Sequence, residues 1–229
     1  MDRKIVHFLW VLLIVTVTAI AGAIYAIAEG WIGYMPPIED LQNPINRFAT
    51  QVYSSDGKLM GTWNYNKENR VCVDYDQLAP SLIKALVATE DVRFHEHSGI
   101  DFKALARAII KRGILGQKNA GGGSTITQQL AKQLYSGKAA SVTERALQKP
   151  IEWVIAVQLE KNYTKDEIIA MYLNYFDFLH NAVGIKTAAN TYFGKEPKDL
   201  SVTESATLIG LCKNPSYFNP VRHPERCQD

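Results

Sequence analysis

Residues 88–101 read ATEDVRFHEHSGID and place two adjacent carboxylates, Glu90 and Asp91, at the end of an apolar segment. The preceding residues 82–87 are mostly apolar, which predicts a helix packed against a core. Partial burial of a carboxyl group at such a helix end favours a role in proton transfer near neutral pH. A solvated helix end without chemistry is the alternative, and this segment alone leaves both interpretations open.

A second carboxylate, Glu152, lies within the apolar run 151–157, which reads IEWVIAV. Charged groups in such a run usually have a partner or a chemical task. The alternative places Glu152 on the wet face of an amphipathic helix. Two carboxylates from different helices in one cleft are the arrangement that glycosyl chemistry uses. The sequence therefore offers Glu90 and Glu152 as a candidate catalytic pair.

Residues 121–129, GGGSTITQQ, form a glycine-rich loop that opens a helix. Free N–H groups and the helix dipole at such a start can hold a phosphate. A nucleotide-binding P-loop is excluded, because Gly122 stands where that motif requires lysine. Lys132 follows one turn after Gln128, which favours a phosphate site over a flexible connection capped by Ser124.

Positive charge is concentrated between Asp101 and Glu152, where Glu144 is the single acidic residue. The helix predicted over 102–113 combines basic and apolar positions at helical spacing, which suits a membrane surface. A solvated helix face is the alternative. The basic residues of the segment are Lys103, Arg107, Lys111, Arg112, Lys118, Lys132, Lys138, Arg145 and Lys149.

Composition excludes several classes of protein. The 229 residues are 47% hydrophobic with a net charge of +2, which argues against a disordered chain and against phosphate-backbone binding of nucleic acid. Cys72, Cys212 and Cys227 lack zinc-finger spacing. His95 and His97 form an HxH pair without a third ligand in view, so we predict no protein metal site.

The N-terminal region predicts one membrane span. Residues 8–28 contain no charged side chain and are long enough to cross a bilayer core. They exceed the apolar length of a cleavable signal peptide, the alternative, so a retained anchor is predicted. Arg3 and Lys4 precede the span, which predicts a cytoplasmic N-terminus and an extracytoplasmic remainder.

The chain divides into three predicted parts. Residues 1–30 form the N-terminus and anchor, residues 31–46 a proline-containing linker, and residues 47–229 one domain. A β-hairpin is predicted across 50–65, with its turn at 55–58.

After Pro80 the patterns become helical, following a possible third strand at 70–75. Capping boxes are predicted at Ser141, Thr164 and Ser201. The predicted helices cover 81–93, 102–113, 124–135, 142–161, 165–175, 182–192 and 202–212.

Two motifs resemble a known family. Residues 88–101 resemble the E-D-x-x-F-x-x-H-x-G signature of peptidoglycan glycosyltransferases, and residues 122–134, GGSTITQQLAKQL, resemble their second signature. The stretches 165–174 and 204–220 are similar to the fourth and fifth motifs. The third departs, because Gln148 stands where the family has arginine, although Glu152 aligns.

The resemblance implies a mainly α-helical, lysozyme-like fold with a membrane-dipping lobe around residues 102–120. It implies polymerisation of lipid II, with Glu90 as general base, Glu152 stabilising or positioning the reacting groups, and undecaprenyl pyrophosphate as the leaving group. A divalent cation such as Mg²⁺ at the pyrophosphate is compatible with this, without a dedicated ligand set. The implied substrate-binding residues are Asp91, Phe94, Ser124, Thr125, Gln128, Gln129, Lys132, Lys138, Arg145 and Lys149.

The implied partners are lipid II, the nascent glycan, membrane lipid, and a fused or separate transpeptidase with other cell-wall synthesis proteins. Two other readings stay open. A lysozyme-type hydrolase or lytic transglycosylase would share the fold and a catalytic glutamate, but would not need the cationic segment. A non-catalytic membrane-anchored scaffold would need neither carboxylate.

Overall fold

The fold was analysed in a computed structural model of the chain. It describes residues 3–33, 35–37, 41, 50–63, 71–114, 116, 122–136 and 142–227. Most of the predicted linker and Lys138 therefore lie outside the described residues.

The first helix, α1 (Arg3–Ala28), is the predicted membrane span. Its apolar window has a mean hydropathy of 2.5, and its side chains are almost all exposed. At about 1.5 Å rise per residue, its 26 residues exceed the thickness of a bilayer core of about 30 Å. By length and composition the helix can cross a membrane.

A two-stranded antiparallel sheet confirms the predicted hairpin. Strand β1 (Thr50–Tyr53) pairs with β2 (Leu59–Trp63), with a register irregularity between Val52 and Tyr53. The possible third strand at 70–75 is wrong, because residues 71–74 have no regular secondary structure.

The side chain of Asn174 explains the missing strand. Its Nδ2 donates to the carbonyl of Val73 at 2.8 Å, and its Oδ1 accepts from the Val73 N–H at 3.1 Å. Both backbone groups that a neighbouring strand would use are therefore already paired.

Helices make up most of the rest, which confirms the predicted fold class and agrees with a lysozyme-like domain. The helices after the hairpin are α2 (Pro80–Glu90), α3 (Phe102–Ala108), α4 (Ile126–Tyr135), α5 (Val142–Asn162), α6 (Lys165–Tyr175), α7 (Ile185–Phe193) and α8 (Val202–Lys213). A π-helical turn, Ile109–Ile114, continues α3.

Helix α4 lies at the centre of the fold. It packs against both α5 and α6, while α2 packs against α8. The fully buried side chains of Ile126 and Leu130 on α4 and of Ile155 on α5 belong to this core. The glycine-rich segment of the sequence thus opens a helix that is fixed on two sides.

The anchor helix also contacts the domain. Helix α1 packs against α5, and its residue Ile27 is buried. Just beyond α1, Gly33 passes so close to the Ile151 side chain that a Cβ at this position would require that side chain to move. The span is therefore packed on the helix that carries Glu152.

Apolar side chains are exposed on α3 and its π-helical turn. Phe102 is 70% exposed, and Ile109 and Ile110 are exposed beside the basic residues Lys103 and Lys111. An exposed apolar patch rimmed by positive charge is typical of a membrane-contacting surface.

Two of the three predicted capping boxes are confirmed, at Thr164 with Glu167 and at Ser201 with Glu204. The third begins at Ser141, outside the described residues. At the start of α8 the Glu204 carboxylate accepts hydrogen bonds from Lys195 and from the Ser201 N–H, which lower its pKa to about 2.

This capping box predicts an acid-sensitive contribution to stability. Because the pKa of Glu204 is lower in the folded chain than its ordinary value of 4.5, the contribution is complete above about pH 4.5. It is lost as pH falls through about 2. We expect Glu204→Gln to lower the melting temperature at neutral pH, and the gap to wild type to close by pH 2. A gap that stays constant with pH would show that the charge is irrelevant.

Candidate active site

Glu90 is the last residue of α2 and is half-buried. Its Oε2 accepts a hydrogen bond of 2.7 Å from Nε2 of Gln129, on the first turns of α4. The carboxylate therefore stays accessible while one oxygen is held by an amide. Glu90 is therefore not a freely solvated helix end.

Asp91 points elsewhere, although it is the next residue. Its buried carboxylate accepts from the N–H of Ile126, the first residue of α4, at 3.1 Å. It also contacts Nε2 of His97 at 3.0 Å. A negative charge at a helix N-terminus is favourable, so Asp91 fixes the start of α4. This inward turn also ends α2 at Glu90 rather than at the predicted residue 93.

The start of α4 is anchored a second time through Gly99. The carbonyl of Gly99 accepts from Oγ1 of Thr125 at 2.7 Å and from Nε2 of Gln128 at 3.2 Å. Thr125, rather than Ser124, caps the helix, because its hydroxyl accepts from the Gln128 N–H. Thr125 and Gln128 are buried, so they position the helix and do not line its open face.

Gly99 should tolerate no side chain. Its φ is +91°, and a Cβ would lie 2.9 Å from backbone atoms of Ala156 on α5. We expect Gly99→Ala to destabilise the chain by about 3 kcal/mol, from backbone strain and overpacking together. Gly57→Ala is the matched control, since Gly57 has a φ of +78° with open space around it. Thermal denaturation in detergent compares them, and equal losses would contradict the steric argument.

Glu152 lies on α5 with its side chain 0% exposed, so it is not on a wet helix face. Its Oε1 accepts from Nη1 of Arg145 at 2.5 Å, and its Oε2 lies 2.8 Å from Nζ of Lys149. Nζ of Lys149 also donates to Oγ of Ser124 at 3.2 Å. Arg145 and Lys149 are about a third exposed, so both cations face outward from a buried anion.

The start of α4 therefore connects Glu90 with the ion pairs of Glu152. Gln129 donates to Glu90 on one side, and on the other Ser124 accepts from Lys149, which pairs with Glu152. A carboxylate that can take a proton lies on one flank of this helix start, and a pair of cations lies on the other. Such a site can activate a hydroxyl while neutralising an anionic leaving group.

Comparison with known proteins identifies the group to which this site belongs. The family model described as Transglycosylase matches residues 56–229, which include the glycine-rich segment and both carboxylates. The chain is a member of the peptidoglycan glycosyltransferase (transglycosylase) family.

Several curated proteins are similar to this transglycosylase chain. Penicillin-binding protein 1A of Escherichia coli (strain K12) is 36% identical over 224 residues, 97% of this chain and 25% of that protein. Penicillin-binding protein 1F of Bacillus subtilis (strain 168) is 43% identical over 159 residues, 69% of this chain and 22% of that protein. The chain thus spans about a quarter of the length of these relatives.

The other predicted site residues of the transglycosylase fall into separate places. Lys132 is exposed on α4, three residues after Gln129. Phe94 is 0% exposed and belongs to the core, where it contacts the ring of His97. Its ring is therefore closed off from solvent in this structure, and the substrate contact that the family resemblance implies for Phe94 stays a prediction. Lys138 lies outside the described residues.

A polar network behind the site was not foreseen. Glu160 of α5 accepts from Oγ1 of Thr127 at 2.5 Å and pairs with Lys165 at 2.8 Å. Lys165 also donates to the His97 carbonyl at 2.7 Å and lies over the Phe94 ring. The network ties α4, α5, α6 and the loop after Glu90 together. A glutamate shortly after the apolar run 153–157 was the available sequence signal, but its partner Thr127 is 33 residues away.

A second ion pair fixes the loop between α2 and α3. The guanidinium of Arg93 makes a bidentate contact with Asp101, which caps α3 by accepting from the Ala104 N–H. Burial of Asp101 raises its pKa, but the contacts with Arg93 and Ala104 outweigh burial and lower it overall. The pair keeps the segment carrying Asp91 and His97 in place.

Within the described part of the chain, no group of three His, Cys, Asp or Glu side chains is placed to hold a metal ion. His97 contacts Asp91 and is largely buried, so its observed role is structural. The prediction of Mg²⁺ at a pyrophosphate concerns an ion bound by the substrate, and it stays a prediction.

Proposed function

We propose that this chain polymerises lipid II into β-1,4-linked glycan strands. The observation that carries the proposal is the start of α4, which joins Glu90 to a cationic cluster through Gln129 and Ser124. Family membership supports a glycosyltransferase of cell-wall synthesis. The relatives are much longer than this chain, so substrate and partners belong to the proposal.

Glu90 is the proposed general base. It would accept the proton of the 4-hydroxyl of the acceptor's GlcNAc as that oxygen attacks C1 of the donor's MurNAc. The new C1–O bond forms as the bond from C1 to the pyrophosphate oxygen breaks, with inversion at C1. Glu90 suits this step because it is half-buried, with one carboxylate oxygen held by Gln129.

The proposed partners of the departing undecaprenyl pyrophosphate are three cations, Arg145, Lys149 and Lys132. Lys138 remains a predicted fourth cation. Cations beside a departing phosphate stabilise the charge that develops in the transition state. Glu152 holds Arg145 and Lys149 in place through its two ion pairs. Its proposed role is to position these cations and the reacting groups. Ser124 lies beside Lys149, where it can contact the same phosphate.

The membrane completes the site, because both substrates carry lipid chains. We propose that α1 spans the cytoplasmic membrane with its N-terminus inside, and that the domain works on the outer, periplasmic face. The exposed Phe102, Ile109 and Ile110 would dip into the same leaflet. A fused or separate transpeptidase and other cell-wall synthesis proteins are the further proposed partners.

The test is polymerisation of labelled lipid II by the purified, detergent-solubilised chain, with the products sized before and after muramidase digestion. Muramidase-sensitive polymer supports the proposal. Shortening of preformed glycan without polymer formation would instead favour a hydrolase or lytic transglycosylase. Neither activity would favour a non-catalytic scaffold. Parallel assays with EDTA and with added Mg²⁺ measure the metal requirement.

A further inference from the structure

A chain of hydrogen bonds runs from the core of the protein to Glu90. The hydroxyl of Tyr172, on α6, donates to Oε1 of Gln129 at 3.1 Å. Nε2 of the same amide donates to Oε2 of Glu90 at 2.7 Å. One glutamine side chain thus links a fully buried tyrosine to the half-buried carboxylate.

The Glu90 carboxylate and the Tyr172 hydroxyl together determine which way the Gln129 amide points. An ionised carboxylate only accepts hydrogen bonds, so the amide must turn its NH₂ toward Glu90. The opposite orientation would bring two acceptors together and would leave the NH₂ facing the tyrosine. A donor at Oε1 therefore favours the orientation that serves Glu90, and Tyr172 supplies that donor.

The surroundings of Tyr172 keep it a donor. Burial, followed by smaller contributions from the neighbouring Cys212 and Glu90, raises the pKa of Tyr172. Burial likewise raises the pKa of the adjacent Cys212 thiol, on α8, well above its usual value. Both groups therefore stay protonated across the physiological range.

We propose that Tyr172 is a positioning residue for the glycosyl transfer, acting on Glu90 through the orientation of the Gln129 amide. The inference rests on the proposed function, since it takes Glu90 as the base. It assigns to Gln129 the task of holding that base, beyond the substrate contact that the family resemblance implies. It also gives a reason for a tyrosine at 172 rather than phenylalanine, which would fill the same space.

The experiment compares Tyr172→Phe, Gln129→Ala and the double variant with wild type in lipid II polymerisation, with kcat and KM measured separately. We expect Tyr172→Phe to lower kcat about tenfold, with KM for lipid II within about twofold, because a positioning contact acts on the reacting group. The double variant should be no slower than Gln129→Ala alone, since both changes break the same chain.

Tyr163→Phe is the matched control. The Tyr163 hydroxyl is buried with no hydrogen-bond partner among the described residues, and the ring packs against the same core. Its removal should leave kcat unchanged. The proposal would be overturned by an unchanged kcat in Tyr172→Phe or by a Tyr163→Phe control that is equally slow. It would also be overturned if the losses of the two single variants multiplied in the double variant.

A second readout does not depend on activity. The side-chain amide signals of Gln129 in ¹⁵N-labelled protein, assigned by their loss in Gln129→Ala, report its hydrogen bonds. Tyr172→Phe should shift them, whereas Tyr163→Phe should not, and unshifted signals in Tyr172→Phe would overturn the proposal. If wild type makes no polymer but Tyr172→Phe still shifts the Gln129 signals, the proposed function is contradicted and the amide orientation stays supported.

Discussion

Glu90→Gln is expected to abolish glycan polymerisation, with a loss of at least about 10³-fold in kcat, near the upper range for removal of a general base. The amide has the same shape but cannot take the hydroxyl proton. Its carbonyl oxygen can still accept the hydrogen bond from Gln129, so the local structure should be retained. The gel-resolved products formed from labelled lipid II measure the chemistry. A melting curve of the same preparation measures the folding.

Glu96→Gln is the control for this prediction. Glu96 is an exposed carboxylate in the loop that follows Glu90, and the proposed mechanism gives it no task. We expect it to polymerise at the wild-type rate. If Glu90→Gln keeps a kcat within about tenfold of wild type, proton transfer to Glu90 is not the basis of catalysis.

Removal of Glu152 should strongly destabilise the folded chain. Glu152→Ala leaves Arg145 and Lys149 beside each other without the buried carboxylate that neutralises both. Breaking a buried ion pair by removing one partner costs about 3 to 5 kcal/mol, and we expect about 3 kcal/mol because the two cations are partly solvated. Thermal or denaturant unfolding in detergent measures the loss.

An exposed ion pair provides the comparison for Glu152→Ala. Glu196 is 58% exposed and lies 3.4 Å from Lys186. Glu196→Ala should cost less than about 1 kcal/mol, as is usual for surface pairs. Similar losses in the two variants would show that burial of Glu152 does not matter. Glu152→Gln, which keeps the shape, should lose activity even where it folds, because neutral glutamine cannot pair with either cation.

The sequence predicted the elements of the site better than the direction in which individual side chains point. Glu90 and Asp91 are adjacent and share one motif, yet one stays accessible and the other fixes α4. That separation depends on where α2 ends and where α4 lies, and α4 begins 36 residues after Glu90. The same motif contains Phe94, whose ring is buried in the core.

Contacts distant in sequence account for the rest of the differences. Asn174 prevents a strand at Val73 through a contact across 101 residues, which local strand propensity does not contain. Tyr172 belongs to a motif that the sequence analysis quoted, but its role depends on meeting Gln129, 43 residues away. A tyrosine in an apolar helix does signal that its hydroxyl needs a buried partner, without identifying that partner.

The packing of α1 on α5 has a consequence for how far from the bilayer the reaction takes place. Glu152 is next to Ile151, the residue that the chain leaving the anchor touches at Gly33. A domain on a slack tether would sample many heights, and a lipid-borne pyrophosphate would meet its cations only part of the time. Here the cations lie on the helix against which the span packs, so the proposed reaction takes place at a fixed height above the headgroups. In the proposed reaction, successive lipid II acceptors would therefore arrive at the same level, and the growing strand would leave from a stationary point.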